Sequence, residues 1–186
     1  EQIAVRELKG RLSFKTVYNW LYSNFLEVFL NVLRRKRRKA KTKETRSKFN
    51  IGKSIGDRPK KVKKKEAFGH WELDTMVSSR GQSKGCLATF VERKTRFYVA
   101  IKMDNRTKDS MFLAISSLYN TLTSKLLKTF TVDRGKEFAC FEQVENEFGI
   151  PMYFADAYAA WQRGSNENSN GLLREFFPKK TDLTKV

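Results

Sequence analysis

The chain has 186 residues, a formal charge of +18 and a pI near 10.0, an imbalance that excludes a charge-balanced globular protein and points to a polyanionic partner. Two isolated cysteines, Cys86 and Cys140, and a single histidine, His70, exclude a disulfide framework and a Cys/His zinc finger, with a reducing cytoplasm as the expected compartment. No apolar run is long enough for a membrane helix, and the start at Glu1 has neither Met nor signal-peptide character.

The charge is unevenly spread. Residues 1–66 hold 21 Lys/Arg against 6 Asp/Glu, whereas 67–186 hold 17 against 14, so the first part is expected to meet polyanion and the second to form a core. Glu1 to Lys9 suits a short helix, and Gly10-Arg11-Leu12 a turn. Ser13 can cap a second helix, Phe14 to Tyr22, with Val17, Trp20 and Leu21 at helical spacing. Residues 1–33 therefore read as a partial helix-turn-helix-like segment in which Lys15 and Asn19 contact DNA, and Phe25 to Leu33 continue as apolar helix. A helical hairpin used only for packing is the plainer alternative.

Residues 34–66 form a basic linker. Arg34, Arg35, Lys36, Arg37, Arg38 and Lys39 open it, and Lys60, Lys61, Lys63, Lys64 and Lys65 close it. Such a block repels itself and is expected to be extended and solvated when free, then to order on phosphates with a steep salt dependence.

From Phe68 the composition is globular. His70 to Ser79, Cys86 to Glu92 and Thr95 to Met103 read as three antiparallel strands. Thr107 caps a helix through Leu122; a fourth strand runs through Phe130 to Val132. A helix from Phe141 to Phe148 ends at Gly149, Pro151 opens a fifth strand to Ala155, and a last helix runs from near Ser165 to Phe177, stopped by Pro178. In this order the first and fourth strands become parallel neighbours. The fold class is α/β, a mixed five-stranded sheet with flanking helices.

Three acidic residues then matter: Asp74 in the first strand, Asp133 at the end of the fourth, and Glu167 near the start of the last helix. Three converging carboxylates require cations, and oxygen-only donors suit two Mg²⁺ or Mn²⁺ ions set against a phosphate. Each residue has an ordinary alternative. Glu72 shares a strand face with His70 and Asp74, so spacing alone leaves Glu72 or Asp74 as the ligand. Asp133 before Arg134-Gly135 could simply make a turn, with Glu137 as a second candidate, and Glu167 could complement a helix dipole.

The runs Gly69-His70-Trp71-Glu72-Leu73-Asp74-Thr75, Thr131-Val132-Asp133-Arg134-Gly135-Lys136-Glu137-Phe138 and Trp161-Gln162-Arg163-Gly164-Ser165-Asn166-Glu167-Asn168-Ser169-Asn170-Gly171-Leu172 together closely resemble bacterial transposases of the insertion sequence thirty family. The 33 residues between Asp133 and Glu167 and the later Phe176-Phe177-Pro178-Lys179 fit as well. The resemblance spans nearly the whole chain. It implies a ribonuclease-H-like, retroviral-integrase-like core over 67–186 and settles Asp74 over Glu72, with Asp74, Asp133 and Glu167 as a metal-binding catalytic triad. It also implies cleavage at transposon ends, joining of the freed 3′-hydroxyl to target DNA, a homo-oligomer on DNA, and a bacterial, nucleoid-associated location. Lys136, Arg163, Asn166 and Asn170 become expected contacts to phosphates or bases.

The chain departs from that family in places. Arg134 stands where Asn is usual, and Asp156-Ala157-Tyr158-Ala159-Ala160 replaces a Pro- and Ser-containing turn. The family extends further at both ends, so the chain is expected to be a fragment truncated at its carboxy-terminus. A catalytically impaired transposase acting only as a DNA-binding protein is therefore a second reading. A ribonuclease on the same core is a third, opposed by the helix-turn-helix-like segment.

Overall fold

The computed structural model describes residues 11–23, 25, 26, 28, 52–78, 83–156 and 159–186, and the chain falls into two units, Glu1–Glu44 and Thr45–Val186. In the first unit, α1 (Phe14–Tyr22) begins where expected: the Ser13 hydroxyl accepts from the Thr16 amide at 3.1 Å. The helix spans the expected bounds and stops at Ser23. The Phe25 amide donates to the Trp20 carbonyl and its ring packs 5.7 Å from that indole, so a local aromatic contact replaces further helix at Phe25. The helix expected over 1–9, and most of the continuation to Leu33, lie outside the described residues.

The second unit starts within the stretch expected to be solvated linker. There β1 (Lys53–Ser54) is followed by a 3₁₀ turn and α2 (Lys60–Lys64). Two local signals outweigh the charge repulsion. Ser54 and Asp57 form a reciprocal capping box, and Val62 is fully buried. The globular elements follow in the expected order: β2 (His70–Val77), β3 (Cys86–Glu92), β4 (Tyr98–Met103), α3 (Lys108–Thr121), β5 (Thr129–Val132), α4 (Phe141–Phe148), β6 (Met152–Phe154) and α5 (Gly164–Phe176). The third strand starts three residues late because Glu92 accepts from the amides of Lys94 and Thr95 and holds them in the turn.

The sheet order is β1-β6-β5-β2-β3-β4. β2, β3 and β4 are antiparallel, whereas β5 runs parallel to β2, β6 to β5, and β1 to β6. The expected five strands are all present, and β1 adds a short sixth at the edge.

The two sheet faces differ in chemistry because side chains alternate along each strand. Trp71, Leu73, Ala88, Phe90, Phe130, Val132, Met152 and Phe154 face one side and pack with Met111, Ile115 and Leu118 of α3 and Val144 of α4. The opposite face bears His70, Glu72, Asp74, Thr89, Thr129 and Thr131. These are polar groups that a core excludes unless they are paired. They are paired: His70 Nδ1 lies 2.8 Å from Thr129 Oγ1, and Arg58 donates to Thr131 Oγ1 at 2.9 Å. A small apolar cluster of Met76, Leu87 and Leu183, with Leu173 and Phe177 of α5 against it, closes one end of this face.

Candidate active site

The ladder between β2 and β5 pairs His70 with Thr129 and Glu72 with Thr131. Two residues further along the same register come Asp74 and Asp133, on the polar face. Adjacent parallel strands thus bring the first two acidic residues to one place. Their side chains remain partly open to solvent, at 25% and 34% exposure.

Local hydrogen bonds fix both. Asp74 Oδ1 accepts from the Thr75 amide at 2.8 Å, and Oδ2 from Asn170 Nδ2 at 3.0 Å. Tyr98 Oη donates to Asn170 Oδ1 at 2.7 Å, which fixes the amide's orientation. Asp133 Oδ1 accepts from the Gly135 amide at 2.8 Å, an Asx-type turn. A Cβ at Gly135 would lie 2.6 Å from the buried Glu137 carboxylate, which would have to shift.

Arg163 spans the pair. Its Nη2 is 3.0 Å from Asp133 Oδ2, its Nη1 is 3.5 Å from Asp74 Oδ1, and Nη1 also donates to the Leu73 carbonyl at 3.2 Å. Burial raises the Asp74 carboxyl above its usual range; Arg163 opposes that shift and the nearby Asp133 charge adds to it. Two close carboxylates demand positive charge, and this guanidinium supplies it. Arg163, expected at DNA, is therefore a partner of the acidic pair in this structure.

Glu167 lies exposed on the first turns of α5, and among the described residues no group of three His, Cys, Asp or Glu side chains converges closely enough to hold a metal ion. Its position on the helix is informative. Arg163 precedes it by four residues and Asn170 follows by three, so all three share one helical face, and the other two both reach the aspartates. The donor set fits a hard divalent cation: two oxygen-only carboxylates, partly solvated, already compensated by a positive group.

The alternative acids are committed elsewhere. Glu72 is 1% exposed, pairs with Arg93 Nε at 2.9 Å, and accepts from the Asn166 amide at 3.0 Å. It anchors the start of α5. Glu137 is fully buried, bound by Arg106 and by Thr75, whose side chain leaves the face opposite Asp74. It braces the loop after Asp133.

The remaining expected DNA contacts separate. Asn166 is fully buried, with its amide on Glu72 and Oδ1 3.4 Å from Thr89 Oγ1, so helix packing takes the group expected to meet DNA. Asn170 is taken by Asp74 and Tyr98. Lys136 is exposed and lines a different hollow with Arg106 and Lys84. Lys15 and Asn19 are exposed on α1. Arg34, Arg35, Lys36, Arg37 and Arg38 lie outside the described residues. Arg134 donates from Nε to the Ala155 carbonyl at 3.0 Å, which ties the end of β5 to that of β6. Sequence reasoning missed Arg93 and Tyr98. The alternation that put Glu72 beside Asp74 was a signal that Glu72 needed a buried cation.

Residues 64–160, just over half of the chain, match the family model described as integrase core domain. The chain is 36% identical over 176 residues to the probable transposase for insertion-like sequence element IS1161 of Streptococcus salivarius, covering 94% of this chain and 50% of that protein. It is 36% identical over 189 residues to the transposase InsI for insertion sequence element IS30A of Escherichia coli K12, covering 96% and 49%. The chain thus spans about half the length of the curated relatives it matches. Among solved structures, the catalytic core domain of BIV integrase overlays with a TM-score of 0.48 at 19% identity, over 59% of this chain and 68% of that one.

Proposed function

Because the chain belongs to the integrase core domain family, we propose that it is the catalytic part of an insertion-sequence transposase, cutting DNA at transposon ends and joining the freed 3′-hydroxyl to target DNA. The observation that carries this reading is the pair Asp74 and Asp133 on adjacent parallel strands, held by hydrogen bonds and bridged by a cation. Asp74, Asp133 and Glu167 would hold the divalent cations, two Mg²⁺ or Mn²⁺ ions, and transposon ends, target DNA and further copies of the chain would be its partners.

When bound, such ions polarise the scissile phosphate and stabilise the attacking and leaving oxygens. The protein's own groups prepare this. Asn170 and the Thr75 amide point the Asp74 oxygens, and the Gly135 amide points Asp133. Arg163 now holds Asp133 Oδ2; if a cation took that oxygen in its place, the guanidinium would be free to donate to a phosphate oxygen. Glu167, on the same helical face as Arg163 and Asn170, would complete the acidic set. The Arg163 bridge also favours a second reading, a catalytically impaired protein that only binds DNA, because the guanidinium already neutralises the site.

The test is cleavage of a labelled duplex bearing the element's own terminal repeat with Mg²⁺ or Mn²⁺. Cutting at the repeat boundary, reduced at least about a hundredfold by Asp133→Asn and by Glu167→Gln with duplex affinity unchanged, is expected. Binding without cutting in the unmodified chain would establish the second reading instead.

A further inference from the structure

Beside the two aspartates, the polar face of the sheet holds a more basic hollow. It is a cleft of about 720 Å³, within the roughly 300–1,000 Å³ range of small-ligand pockets. Arg58, Lys60, Lys63 and Lys65 line one part, Trp161 and Gln162 another, and the buried Arg93–Glu72 pair the base. Glu72 answers Arg93, and Asp156 is the other acid at the rim. Among the described residues, none of the other four cations has an ion pair. Burial and Arg93 push the Arg58 guanidinium down to about 10, and burial with Arg96 lowers Lys65, as expected where positive charges crowd without an anion.

Trp161 gives the cleft a second chemistry. It is 64% exposed, on a 3₁₀ turn that is held in place rather than free. Gln162 Oε1 accepts from the Asp156 amide and its Nε2 donates to Asp156 Oδ2, both at 2.8 Å. An exposed indole on a held turn, beside cations without ion pairs, suits a ligand with both a flat aromatic surface and phosphate. Inside a duplex the base faces are stacked on one another, so away from a duplex end an indole can meet one only where a base is unpaired.

We propose that this cleft binds an unpaired nucleotide of a DNA strand, its phosphates held by Arg58, Lys60, Lys63 and Lys65 and its base stacked on Trp161. The proposal rests on the reading of the chain as a DNA-processing enzyme. Arg163 follows Gln162 directly and touches both aspartates, so a nucleotide in the cleft lies next to the strand at the acidic pair, and the device holds DNA frayed at the cutting point.

The experiment titrates the full chain with a short oligothymidylate and with a blunt duplex of equal length, reading tryptophan emission and anisotropy. Expected are quenching by the oligothymidylate, its loss in Trp161→Ala, and an affinity for the single strand lower by about tenfold. Duplex affinity should stay within about twofold, and Trp161→Phe, which keeps an aromatic face, should restore single-strand binding. The double variant Lys60→Ala with Lys63→Ala, both exposed, should flatten the single-strand salt slope by about 1.4. Unchanged single-strand affinity in Trp161→Ala, or an equal loss on duplex, overturns the proposal, as does an effect confined to the lysines, which would mean phosphate contact alone. Cleavage by Asp133→Asn, run in parallel, separates the two readings: continued cutting sinks the nuclease assignment, whereas Trp161 results sink only the cleft.

Discussion

Glu72 and Asp74 are two residues apart on one strand face, yet their neutral variants should behave oppositely. Glu72→Gln removes the charge that answers Arg93, and both side chains are nearly excluded from water, at 1% and 5% exposure. Breaking a buried pair from one side costs about 3–5 kcal/mol, because the remaining charge stays buried without its partner. The glutamine oxygen can still accept from the Asn166 amide and Arg93 keeps its bond to the Val62 carbonyl, so the lower end, about 3 kcal/mol, is expected. For a unit of this size that lowers the melting temperature by about 10 °C. Asp74→Asn removes a partly desolvated carboxylate and its repulsion by Asp133, at the loss of a 3.5 Å contact to Arg163. Its stability should stay within about 1 kcal/mol of the parent while cleavage disappears. Thermal and urea melts followed by circular dichroism, beside the cleavage assay, measure both. If Glu72→Gln melts within about 1 kcal/mol of the parent, the buried pair does not anchor α5; if Asp74→Asn still cuts, the strand position was misassigned.

Arg163→Gln should leave the two aspartates mutually repelled without metal, so Mn²⁺ should raise its melting temperature more than the parent's; an equal or smaller Mn²⁺ shift would show that the guanidinium does not compete for the site. Neutralising Arg34 to Lys39 should weaken duplex binding and reduce the salt slope by up to about 0.9 per lost phosphate contact, and an unchanged slope in anisotropy titrations would exclude that run from DNA. Burial pushes the Cys86 and Cys140 thiols up to about 11, so at mildly alkaline pH neither should react with a thiol reagent until denaturant exposes them. Prompt labelling of the folded chain would contradict their burial.

The fold was legible where one local rule dominates. Alternation in β2 and β3, the Thr107 cap, Gly149 with its left-handed backbone, and Pro178 after α5 each mark an element with little dependence on distant contacts. Residues 52–66 are ordered against the expectation from net charge, because Ser54 and Asp57 form a capping box and Val62 is buried, two features that turn basic chain into structure. The Ser13 cap likewise set the start of α1, which keeps its expected bounds, Phe14–Tyr22.

The site divides along the same line. Asp74 and Asp133 come together through strand register, a property that alternation and element order determine. Glu167, Arg163 and Asn170 depend instead on how α5 rotates over the polar face, and that rotation is set by contacts no linear pattern encodes: the Asn166 amide on Glu72, the Asn170 amide between Asp74 and Tyr98, and Arg96 on Ser165. A helix fixed by polar contacts to a polar sheet face differs from one embedded in hydrocarbon, where any rotation exposes apolar surface. Here each contact is a discrete hydrogen bond with one partner. Moving Arg163 from Asp133 to an incoming phosphate exchanges one charge-assisted bond for another, whereas rotating α5 as a whole would also break the Asn166 amide's bond to the buried Glu72. The polar face therefore lets the arginine change partners while the bond from the Asn166 amide to Glu72 holds the start of the helix.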